Sequence, residues 1–323
     1  MSKINTLAKL QRMKAIRQRQ VFCPVSKLRA ITSPLTVNDD LALKTMVSSP
    51  DLYDRELAVL IYTHTDFPDV PTEKPSFDEF IENISDFDKK SLLWGIYDST
   101  YQTLGKHNVT CPKCKAKSEE TVLAKDLVQP DTFKGVWDKE LDFNNFNYPV
   151  NIEIGDVEIS KFVFNIAIPS IKKHLDVLKL VTTDDMKSNF NKFNSIVSKP
   201  EELTLITRSI EIYSPPEEVV STDEDAILDP SVVQTTPAPA PATAETPVKQ
   251  VPDDIITNVY EIHTIIKDFV TLDVINTVID AFDEQFAKYN PSFKKIITCK
   301  ECQNVYDLPI DVEVSLFRSF LRL

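Results

Sequence analysis

A chain of 323 residues with 42% hydrophobic side chains can bury one large core or two ordinary ones. Its net charge of −13 argues against nucleic acid as partner of the whole chain. No apolar run approaches the roughly 18–20 residues that span a bilayer, and no signal-peptide core precedes a small-residue cleavage site, so a protein made in a reducing cytosol is expected.

In chain order, residues 1–24 form a basic segment, expected to be a terminal helix or tail. Lys3, Lys9, Arg12, Lys14, Arg17 and Arg19 occur with no acid, and Ile4, Leu7, Leu10, Met13 and Ile16 make an apolar stripe. The stripe could bind RNA, a membrane or a partner, and it also resembles a transit peptide; a helix resting on the chain's own acidic body, or on a protein partner, is the favoured reading.

Residues 25–130 read as a helical unit that ends in a Cys-x-x-Cys knuckle. Asn38-Asp39-Asp40 supplies an N-cap before Leu41, Leu43 and Met46, and a second helix fits Leu52 to Tyr62. Pro68, Pro71 and Pro75 then break the chain. Phe77, Phe80, Ile81 and Ile84 then recur at helical spacing, followed by Leu92, Leu93, Ile96 and Tyr97 within 86–104.

Residues 131–213 combine a β-hairpin with helices. Ile152, Ile154, Val157, Ile159, Phe162, Phe164, Ile166 and Ile168 alternate with polar neighbours, the period-two pattern of a hairpin or meander. Residues 171–181 and 184–197 return to helical spacing, and 203–213 fits helix or strand. Residues 214–254 are an acidic Pro/Ala-rich linker that cannot build a core. Residues 255–323 carry a long helical pattern, a second knuckle, a strand and an apolar tail of Leu316, Phe317, Phe320 and Leu321. The expected fold class is α+β: a mostly helical body with small β-hairpins and a zinc-ribbon-like pair of knuckles.

The two knuckles carry the chemistry. Val109-Thr110-Cys111-Pro112-Lys113-Cys114 and Ile297-Thr298-Cys299-Lys300-Glu301-Cys302 each place a β-branched residue and Thr before the first Cys, with a strand-like run after. A tight turn holding two Cys three apart supplies half of a tetrahedral thiolate site, so Cys111, Cys114, Cys299 and Cys302 are the expected ligands of one structural Zn2+. In a reducing compartment such pairs favour metal over disulfide. A thioredoxin-like redox role, and two separate sites instead of one shared, are the competing readings. Cys23 has no Cys-x-x-Cys partner and reads as an ordinary small buried or half-buried residue.

The helix–knuckle–strand order of 255–314 matches that of 77–123, which suggests a weak internal repeat. A shared zinc would pin the C-terminal block to the N-terminal one with the linker looped out. Structural zinc contributes on the order of 10 kcal/mol of apparent binding free energy, and loop-closure entropy grows only slowly with length.

Other classes find less support. Four glycines (Gly95, Gly105, Gly135 and Gly155) stand too far apart for a phosphate loop. His64, His107, His174 and His263 are scattered, without a His-Glu-x-x-His or a nucleophile elbow, and only His107 lies near a knuckle as an alternative ligand. No enzyme is expected. Lys106, Lys113, Lys115 and Lys117 near the first knuckle, with Lys294, Lys295 and Lys300 near the second, leave a zinc-ribbon nucleic-acid binder as the alternative function, weighed down by the overall acidity.

One order of features resembles a known family. Ile31-Thr32-Ser33-Pro34-Leu35-Thr36-Val37-Asn38-Asp39-Asp40, Ala58-Val59-Leu60-Ile61-Tyr62, Phe77-Asp78-Glu79-Phe80, the stretch from Asp88 to Tyr101 and the first knuckle follow one another. This order resembles the baseplate-hub assembly proteins of contractile-tailed phages of the T-even type. The likeness runs over roughly residues 25–125. It implies a non-enzymatic chaperone or hub component in the host cytoplasm during assembly, or in the virion tail. The implied partners are other baseplate-hub or tail proteins, or further copies of the chain. The basic N-terminus and the acidic linker depart from the family's pattern as additions.

Overall fold

The computed structural model describes residues 16–46, 50–68, 74–101, 103–127, 147–153, 159–180, 198–215 and 251–310. Residues 1–15 of the basic segment, most of the linker, the 184–197 helical pattern and the apolar C-terminal tail lie outside these residues.

The body is not mostly helical, which corrects the expected fold class. Among the described residues 44% are helical and 30% are in strands, arranged as eight helices and four small sheets. The strands that spacing alone did not resolve are short and flank tight turns. Arg19–Phe22 (β1), at the end of the expected terminal helix or tail, pairs antiparallel with Arg29–Thr32 (β2), and Thr65–Asp66 (β3) adds a third short strand. Runs this short carry too few residues for a period of two to register.

The first core is organised around one helix. After Val37–Met46 (α1), Pro50–Thr63 (α2) and Phe77–Asn83 (α3) comes Asp86–Thr100 (α4). Ser76 and Glu79 form a capping box at the start of α3, and the Ser85 hydroxyl accepts the Asp88 N–H at the start of α4. The α4 helix is covered on nearly every side: Phe87, Leu92, Leu93, Ile96 and Tyr97 are buried, and so are Asp88, Lys89, Ser91 and Ser99. The β1–β2 hairpin lies against it at Gly95, where an added Cβ would come within 2.2 Å of Val21 Cγ2. Arg19 Nε donates to Asp98 Oδ2 at 2.5 Å beside that contact.

The second core packs helices on a four-stranded antiparallel sheet. Tyr148–Glu153 (β6), Lys161–Ile166 (β7), Thr207–Tyr213 (β8) and Asp254–Ile256 (β9) lie in that order, so the hairpin expected at 148–169 is extended by two further strands. Phe164, Ile166 and Ile210 turn inward against Lys199–Ile206 (α6), Val259–Phe269 (α7) and Leu272–Phe286 (α8). The long helical pattern from 255 is thus two helices, with Val270 extended between them. The cores meet where the Asp86 N–H donates to the Pro169 carbonyl and the Ile171 N–H to the Ile84 carbonyl, at the start of Ile171–Leu178 (α5). Phe87 and Phe282 pack edge-on across the same seam at 6.2 Å.

Two more hairpins complete the fold: Thr103–Thr110 (β4) with Lys117–Leu123 (β5), and Phe293–Thr298 (β10) with Val305–Ile310 (β11). The last hairpin returns to the first core, where Phe293 and Ile310 are buried and Trp94 stacks on Phe293 at 5.8 Å.

Candidate metal centre

Each knuckle is the turn of one hairpin, and its backbone dictates where the sulfurs point. The Cys111 N–H donates to the Ala116 carbonyl at 2.9 Å, and the Lys115 N–H returns to the Cys111 carbonyl at 3.0 Å. At the second turn the Cys299 N–H donates to Asn304 at 2.9 Å and the Gln303 N–H to Cys299 at 2.9 Å. Lys115 and Gln303 both adopt left-handed backbone, with φ of 62° and 56°. Such a turn folds the first and second Cys of each pair to one side of the hairpin.

The repeat suggested by element order extends to side chains. In both hairpins the residue before the first Cys pairs with the sixth after it, Thr110 with Lys117 and Thr298 with Val305. A lysine five positions before that Cys pairs with an acid eight after it: Lys106 Nζ to Glu119 Oε1 at 2.6 Å, and Lys294 Nζ to Asp307 Oδ2 at 2.5 Å. These two lysines of the suspected nucleic-acid rim are ion-paired within their own hairpins, and Lys295 Nζ donates to the Thr121 carbonyl at 2.6 Å, tying the hairpins together.

The hairpins face each other with their sulfurs innermost. Cys111 Sγ lies 3.7 Å from Cys302 Sγ, Cys114 Sγ lies 3.6 Å from Cys299 Sγ, and all four sulfurs fall within 4.8 Å of one another. Sulfurs about 2.3 Å from a central zinc stand about 3.8 Å apart along the edge of a tetrahedron. A disulfide requires about 2.05 Å, so the cluster has the spacing of a metal shell and the cysteines are free. Cys111 and Cys299 are buried and Cys302 is half-buried, with Cys114 at the solvent edge. The sequence-predicted ligands are therefore all brought together and could hold a metal ion. His107 is not among them, and Cys23 lies elsewhere, in the turn of the first hairpin.

Electrostatics favours a cation here. The Cys114 N–H foremost, with that of Lys113, holds the Cys111 thiol down at about 6, against the opposing effect of burial. At Cys114 the Ala116 N–H pulls the same way, but the sulfurs of Cys302, Cys299 and Cys111, together with burial, push it up to about 12. One thiolate forms easily and the last is strongly resisted, because negative charge accumulates in one small volume. A divalent ion at the centre removes that resistance.

The sequence missed a second charged cluster, because single acids among so many carry no signal. Asp86 Oδ1 lies 3.1 Å from Lys89 Nζ and 3.4 Å from His174 Nδ1, all largely buried at the seam between the cores. Burial pushes the Asp86 carboxyl up, but Lys89 first, then His174 and Lys90, outweigh it and hold it well below the usual carboxylate range.

No family model, curated protein or solved structure matches the chain.

Proposed function

We propose that the chain is a non-enzymatic assembly protein in which one structural Zn2+ on Cys111, Cys114, Cys299 and Cys302 clasps the C-terminal hairpin to the N-terminal core. The observation that carries the metal is the pair of 3.6 and 3.7 Å sulfur separations, made between hairpins instead of within either one. Tetrahedral all-sulfur sites take zinc or iron, and four protein thiolates fill the shell of a structural zinc, leaving no position for a substrate or an activated water.

The role in baseplate-hub assembly rests on the order of features from Ile31 to Cys114. A protein of this kind would present its surface to other hub or tail proteins, and the zinc would fix that surface. Disrupting the gene in the genome that encodes it tests the reading. Electron microscopy of the lysate should then show contractile tails failing before baseplate completion, with rescue by the wild-type gene and not by Cys299→Ser. Normal tails in the disrupted strain would refute the assembly role.

A further inference from the structure

The β1–β2 hairpin repeats the knuckle geometry without the second cysteine. Its residue before the Cys again pairs with the sixth after it, Phe22 with Arg29. The Cys23 N–H donates to the Leu28 carbonyl at 2.9 Å and the Lys27 N–H returns to the Cys23 carbonyl at 3.0 Å, matching both metal knuckles bond for bond. Lys27 has φ of 59°, beside 62° and 56° at the equivalent Lys115 and Gln303. Cys23-Pro24-Val25-Ser26 also parallels Cys111-Pro112-Lys113-Cys114, with Ser26 where the second thiol would stand.

A turn of this shape aims two successive backbone N–H groups at one point, and those donors need an acceptor and favour an anionic one. At the first metal knuckle the donors are Lys113 and Cys114, and the acceptor is the Cys111 sulfur. At the β1–β2 turn the equivalent donors are Val25 and Ser26. Their acceptor is a carboxylate from α4: the Val25 N–H donates to Asp88 Oδ1 and the Ser26 N–H to Asp88 Oδ2, each at 2.9 Å. Asp88 is fully buried, and its own N–H is held by Ser85.

We propose that residues 23–28 are a third, metal-independent knuckle in which the Asp88 carboxylate occupies the anion position that a metal-bound thiolate fills at the first. With Asp88 in place the turn needs neither a thiolate at Cys23 nor a thiol at position 26. Burial and the neighbouring Asp88 charge keep Cys23 as the neutral thiol. Two similar turns thereby lock different parts of the fold by different means: Asp88 fixes the first hairpin to α4 whether or not metal is bound, and only the clasp between the other two hairpins answers to metal. This goes beyond the assembly reading and stands without it.

Amide hydrogen exchange on the full chain separates the two locks. With a zinc chelator, exchange should rise at Lys113 and Cys114 while Val25 and Ser26 keep their protection. In Asp88→Ala, exchange at Val25 and Ser26 should rise about tenfold or more, with metal content unchanged, because each amide loses a charge-assisted bond. Should Asp88→Ala fail to fold, Asp88→Asn supplies the same readout, since its amide cannot accept from both donors. Loss of Val25 and Ser26 protection on chelation, unchanged protection in the Asp88 variants, or loss of metal in Cys23→Ser would each overturn the proposal. If the chain bound no metal, chelation would change nothing at Lys113 and Cys114, and the Asp88 arm would still decide.

Discussion

Cys114 Sγ lies 3.6 Å from Cys299 Sγ although 185 residues separate them in the chain. Nothing local brings them together. Their approach is the sum of two hairpin turns and of the packing that seats the last hairpin on the first core.

Removal of the metal should therefore loosen one end of the molecule selectively. Cys302→Ser, or chelation of the wild type, is expected to lower unfolding free energy by at least about 3 kcal/mol, a fraction of what structural zinc sites contribute. Limited proteolysis should then cut first near 293–310, while fragments containing α4 persist. Chemical denaturation with mass mapping of the fragments checks both.

How much of this was legible beforehand differs between residues for physical reasons. The four clustered cysteines stood out because thiol pairs three apart have few other uses in a reducing compartment. The alternation at Phe162, Phe164 and Ile166 found β7 because its six residues are enough for the period to register and these three side chains all join the second core. The β1 strand stayed hidden: four residues with arginine, glutamine, valine and phenylalanine have no usable period. Asp88 was invisible for another reason. Its meaning depends on a turn more than sixty residues away, and its own neighbourhood reads as an ordinary helix start.

Gly95 is fixed by close approach. Its Cα hydrogen faces Val21 and Thr32, and Gly95→Ala would set a methyl 2.2 Å from Val21 Cγ2 and 2.7 Å from Thr32 Oγ1. Both atoms belong to short β-branched side chains of the hairpin that α4 carries, so relief requires those side chains to leave their rotamers or the hairpin to shift. A loss of about 1–3 kcal/mol is expected from equilibrium denaturation, despite alanine's better helix propensity.

Asp86 should give the protein an acid-sensitive seam. Its folded-state pKa is depressed, so its contribution is present above the unfolded value of about 3.9 and is lost as pH falls below that. Wild-type stability is expected to decline below about pH 4–5, and Asp86→Asn should decline less steeply over that range. At pH 7 the same variant leaves Lys89 and His174 without their carboxylate and should cost about 3 kcal/mol. Thermal unfolding of both proteins across pH 3–8 reads the difference.

The stacked pair Trp94 and Phe293 is a second contact between the C-terminal hairpin and α4. A double-mutant cycle with Trp94→Leu and Phe293→Leu should return a coupling of about 0.5–1.5 kcal/mol. The same coupling is expected in the chelated protein if packing and metal act as separate fastenings.

The most direct test of the shared site is metal content by elemental analysis, paired with the mass of the purified chain, on wild type and Cys299→Ser. One zinc per chain is expected in the wild type and none in the variant. Two zincs per chain, or one retained after the substitution, would show that the knuckles bind separately and that no metal joins the two ends.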